Sequence, residues 1–164
     1  MTQAIYIAVA VTTIAFLVIS FTTDLRERMI YSFPCLMLAL SWCMLGFTSI
    51  HNVAFIMTII LLHLLAYSLM RIFRIWGDGD TDVFLLYGAV YAAFGIHAFG
   101  TESLCIYLIG ELMGMVAALL LSFLIGFIEA RVRKKKLSRS SSIAVVPGFA
   151  IVMAGLIIGS FIVR

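Results

Sequence analysis

Charge is what this chain has least of. Asp, Glu, Lys and Arg make up only 12% of its 164 residues, against 64% hydrophobic ones, whereas an ordinary soluble domain carries about 25% charged and about 45–50% apolar residues. That shortage excludes a soluble globule. Cysteine is thin as well: Cys35, Cys43 and Cys105 are odd in number, far apart and inside apolar stretches. A disulfide framework or a zinc site needs clustered, paired spacings. The three read instead as small packing residues, and no metal or cofactor is expected. His51, His63 and His97 are dispersed, which leaves a serine or cysteine nucleophile without a nearby base. The first apolar run has no basic region before it and is longer than a typical signal-peptide core, so it reads as a retained helix. No internal repeat points to a transporter of two matching halves.

What is present is a series of six apolar runs, about 4–22, 30–50, 53–70, 83–100, 103–128 and 143–163, each close to the roughly 20 residues that a membrane-crossing helix needs. Backbone groups in hydrocarbon must be satisfied within the segment. The expected fold is therefore all-α, a polytopic bundle of about six transmembrane helices forming one domain over residues 1–164. The surplus of basic residues, net +3, reports orientation rather than nucleic-acid binding. Ten of the eleven Lys and Arg fall in three connectors, at Arg26 and Arg28, at Arg71 and Arg74, and from Arg131 to Arg139. Alternating spans put these first, third and fifth connectors on one side, which the positive-inside rule makes cytoplasmic. Both termini are then outside. Helix contacts are expected where Gly110 and Gly114, and Gly155 and Gly159, fall at GxxxG spacing.

Only eight carboxylates exist, and their distribution is informative. Asp24 and Glu27 follow the first span, and Asp78, Asp80 and Asp82 lie between the third and fourth, so two connectors bring acids to one membrane face. The second group sits in Trp76-Gly77-Asp78-Gly79-Asp80-Thr81-Asp82, where Gly77 and Gly79 permit close approach of another segment. A converging carboxylate pair suits peptide hydrolysis by an activated water. One carboxylate takes a proton from water while the other, protonated, donates to the scissile carbonyl, the two sharing a proton because like charges a few ångströms apart do not both ionise easily. Glu27, Asp78 and Asp82 read as solvated loop charges, the alternative being acids that attract a basic segment electrostatically. Glu111 and His63 fall inside spans, where ionisable groups are costly. They read either as part of a proton path or substrate contact, or as a hydrogen-bonded pair between helices.

Two elements resemble the type IV prepilin peptidases, membrane aspartic proteases with a first Asp after an early helix and a second in GxGD. The first is Asp24-Leu25-Arg26-Glu27-Arg28-Met29-Ile30, similar to the family's Asp, five intervening residues and an apolar residue; the second is Gly77-Asp78-Gly79-Asp80 before the next span. Val146-Pro147-Gly148-Phe149-Ala150, opening the last run, is similar to the proline and small residues that members often carry there. The family's Pro-Asn is Tyr31-Ser32 here, its common Lys two residues after the second Asp is Asp82, and the cysteine-rich zinc domain of the larger members is absent. The likeness is to the short, peptidase-only form. It implies an aspartic endopeptidase of a bacterial inner membrane, with Asp24 and Asp80 catalytic, Gly77 and Gly79 shaping the site, and Ile30 and Pro147 near substrate. The implied partners are a prepilin or pilin-like substrate, cut at its short basic leader, and the lipid bilayer. The alternative is a non-enzymatic six-helix transport or secretion-assembly subunit.

Overall fold

The computed structural model describes residues 2–27, 29–49, 52–99, 103–132 and 144–163. These form six α-helices: α1 (Thr2–Glu27), α2 (Ser32–Ser49), α3 (Val53–Ile72), α4 (Asp78–Phe99), α5 (Leu104–Val132) and α6 (Val146–Val163). Among the described residues there is no strand. Three helices are long and apolar enough to cross a membrane, over Gln3–Glu27, Val53–Ile72 and Leu104–Val132. The basic and serine-rich stretch Arg133–Ser142, His51 and the Thr101-Glu102 connector lie outside the described residues.

The helices turn the soluble pattern inside out. Along α1 the buried side is Tyr6, Ala10, Thr13, Leu17, Ser20 and Asp24, while Val11, Val18 and Ile19 face outward. The steps of four and three residues trace one helix face, and that inner face is the polar one. In α5 the buried side is Tyr107, Glu111, Ala118, Ser122 and Gly126, and Ile109, Leu112, Leu120 and Phe123 are exposed. Polar groups inside and apolar ones outside fit a hydrocarbon solvent, in which interhelical hydrogen bonds and small residues hold helices together. Two such bonds cross between helices here: Tyr6 bonds Ser160 of α6, and the Trp42 indole of α2 donates to Thr13 Oγ1 at 2.9 Å.

Helix α4 is the axis of the assembly, touched by α2, α3, α5 and α6. From Thr81 to Ala93 it is buried all round apart from the half-buried Leu85 and Ala92, so it has no solvent-facing stripe. Three glycines set close approaches. A Cβ on Gly88 would lie 2.1 Å from the His63 ring of α3, one on Gly114 2.3 Å from the Tyr87 hydroxyl, and one on Gly148 1.9 Å from the Ala118 carbonyl. The expected contact at Gly155 and Gly159 is found at one of the two: a Cβ on Gly159 would meet Phe94 of α4 at an ordinary 3.7 Å, and nothing lies within 4 Å of one on Gly155. Spacing marks which residues share a face, but not whether that face meets a neighbour.

Candidate functional site

Three connections meet at one end of the bundle. Ile30, between α1 and α2, lies under the first turn of α4, where a Cβ on Gly79 would come within 2.9 Å of it. Trp76, between α3 and α4, stands edge-on to Phe84 of α4 and Phe149 of α6, both 6.0 Å between ring centroids. Asp24 and Asp80, on different helices, are therefore carried to the same end.

Asp24 closes the inner seam of α1 and is 4% exposed. A side chain of this type is seldom buried so fully unless it is paired. Asp80 is half-buried and belongs to the helix, not to a loop. The fourth run is expected to begin at Val83, whereas α4 begins at Asp78, because acids in the first turn complement the helix dipole. There the Thr81 amide donates to the Gly77 carbonyl at 3.0 Å. The Asp80 carboxylate folds back toward the helix start, leaving a Cβ on Gly77 only 3.3 Å from Oδ2. Gly77 and Gly79 thus have distinct jobs, one clearing the carboxylate and the other clearing Ile30.

Pro147 is buried in the first turn of α6, a position that a proline tolerates because its missing N–H has no helical partner there. Ser122 of α5 fixes that turn, donating to the Val145 carbonyl at 2.6 Å and accepting from the Gly148 amide at 3.1 Å. Ile30 packs against Gly79, and Pro147 is buried at the start of α6.

The flanking acids divide. Asp78 is exposed, with its carboxylate 3.6 Å from Arg71 Nε. Asp82 is fully buried, which corrects its reading as a solvated loop charge: it lies one turn into α4, and Tyr67 of α3 donates to its Oδ1 at 2.9 Å. Nothing in the local sequence marks this, since the tyrosine is 15 residues away.

Nearer the middle of the bundle, His63 and Glu111 hydrogen-bond through Nε2 and Oε1, joining α3 to α5 across Gly88. Of the two readings open from sequence, the interhelical pair is present. His63 Nδ1 lies 2.9 Å from the Ile59 carbonyl. A carbonyl only accepts, so Nδ1 carries a proton, and one further proton is shared between Nε2 and the carboxyl. Glu111→Ala is expected to lower stability by about 1–3 kcal/mol by stranding a buried ring nitrogen. Glu111→Gln, whose amide donates to Nε2, is expected to cost less than half as much. Thermal unfolding in detergent compares the two.

No protein-family model, curated protein or solved structure matches this chain. The functional reading rests on the geometry and on the two aspartate segments themselves.

Proposed function

We propose that this chain is a membrane-embedded aspartic endopeptidase of the type IV prepilin peptidase kind, with six transmembrane helices, in a bacterial inner membrane. The observation that carries the reading is the contact of Gly79 with Ile30, which joins the segment following Asp24 to the glycine turn bearing Asp80. In this reading one carboxylate removes a proton from water as its oxygen attacks the scissile carbonyl carbon. The other, protonated, hands its proton to the carbonyl oxygen. As the tetrahedral adduct collapses, the C–N bond breaks, the leaving nitrogen takes a proton from the first carboxyl, and a hydroxyl of the adduct returns its proton to the second carboxylate as the C=O re-forms. No covalent enzyme intermediate is involved.

The substrate is a prepilin or pilin-like protein, cut at its basic leader on the cytoplasmic side. Arg26, Arg71, Arg74 and Arg131 stand at or beyond the ends of α1, α3 and α5, which supports that side as cytoplasmic and both termini as outside. An apolar groove of about 410 Å³ runs beside α4 between α2 and α3, from Leu85 to Ala92, giving the substrate's apolar segment a seat that leads toward the Asp80 turn. Co-expression with a pilin-like protein of the same organism is expected to shift the pilin to the mass of its leaderless form. Chelators are expected to leave the shift unchanged, since the mechanism uses carboxylates alone. An unshifted pilin, or activity lost to a chelator and restored by zinc, would overturn the reading.

A further inference from the structure

The five residues from Phe73 to Gly77 reverse the chain between α3 and α4, and most of them are exposed. The reversal begins with Arg74 at φ 49°, the position after the helix end that usually takes glycine. The Ile75 amide donates to the Met70 carbonyl, and the Arg74 amide to that of Arg71, so the end of α3 is closed locally. These bonds leave the start of α4 unfixed. Side-chain ties from α3 are made to it by Arg71 and by Tyr67. One is the 3.6 Å pair with Asp78, whose side chains are 46% and 79% exposed, and such pairs contribute little. The other runs inward: Arg71 Nη1 donates to the Tyr67 hydroxyl, which donates to Asp82 Oδ1. Asp82 is fully buried, and its Oδ2 has no hydrogen-bond donor among the described residues. The Tyr67 bond is therefore the stronger of the two, because its acceptor is buried.

Asp78 and Asp82 bracket Asp80 on successive turns of one helix, so whatever fixes them fixes the backbone between. We infer that Asp82 is a positioning residue: through Tyr67 and Arg71 it latches the first turn of α4 to the end of α3 and so sets the direction of the Asp80 carboxylate. The inference rests on the peptidase reading for its effect on rate, but the latch itself is a property of the fold.

The test uses the full chain in lipid nanodiscs, with Tyr67→Phe, Asp82→Asn and the double variant. For cleavage of a synthetic prepilin peptide, each single variant is expected to lower kcat about tenfold with KM within about twofold, and the double variant to be no worse than the poorer single one. Amide exchange across 77–82, where Thr81 bonds Gly77, is expected to quicken about tenfold in Tyr67→Phe. Ile157→Ala, a buried α6 change remote from the latch and from the groove, serves as the matched loss of packing and is expected to leave both readouts as in the wild type. Unchanged kcat and unchanged exchange in Tyr67→Phe would overturn the latch while leaving the peptidase reading intact. A raised KM at constant kcat would overturn it too, by making Asp82 a substrate contact. If Asp24→Asn and Asp80→Asn cleave normally, the peptidase reading fails, and unchanged or faster exchange then decides the latch alone.

Discussion

Asp24→Asn and Asp80→Asn are each expected to lower leader cleavage by about 10²–10⁴-fold, the range for losing a positioned acid or base, while the protein still accumulates in the membrane. Asn has the shape of Asp and keeps one acceptor oxygen, but it neither takes up nor hands on a proton. The loss should therefore appear in kcat. Asp78→Asn supplies the contrast: its carboxylate is exposed and, among the described residues, pairs with Arg71 at 3.6 Å, so cleavage is expected to stay within about twofold of wild type. Initial rates at equal enzyme levels separate the three. Normal cleavage by Asp24→Asn, or an essential Asp78 beside a dispensable Asp80, would show that the pairing is wrong even if the chain is a protease.

The second large effect concerns α6. Gly148→Ala places a methyl group 1.9 Å from the Ala118 carbonyl, 2.2 Å from Ser122 Oγ and 2.7 Å from the Ser122 amide nitrogen. Two of these atoms are backbone, so no rotamer change relieves the clash. The helices must separate, and both Ser122 hydrogen bonds go with the contact. The expected cost is about 3 kcal/mol or more, the upper end of overpacking with the lost bonds added. Gly155→Ala is the internal control. With nothing within 4 Å of the new Cβ, it is expected to be neutral or to gain about 0.5–1 kcal/mol from better helix propensity. Thermal unfolding in detergent distinguishes them, and equal melting temperatures for Gly148→Ala and wild type would contradict the close α5–α6 approach.

The number and order of the helices were legible because a run of about 20 apolar residues leaves the backbone one way to satisfy itself. Asp24 and Asp80 were legible as exceptions, acids at the margins of apolar runs, the second with glycines beside it. The start of α4 was not, because a search for apolar residues begins at Val83 and passes over the acids that open the helix at Asp78. Asp82 escaped for a related reason. An acid in a short connector is ordinarily solvated, and what buries this one is Tyr67, on the preceding helix. Gly88 and Gly148 carried no warning either, since a single glycine in an apolar run looks the same whether a neighbour approaches it or not. Of the paired glycines 155 and 159 the second meets a neighbouring helix and the first does not, so spacing alone is an incomplete guide to contact.

The proposed hydrolytic site unites two aspartates of different helices at the end of the bundle where Ile30 meets Gly79. Intact-mass analysis of a purified prepilin incubated with the purified chain in lipid nanodiscs tests it most directly, run in parallel with wild type, Asp24→Asn and Asp80→Asn. The account predicts that wild type releases the leader as a single fragment with one water added across the cut bond, and that neither variant releases it. An intact prepilin after incubation with wild type, or the same fragment at the same rate from both variants, would contradict it.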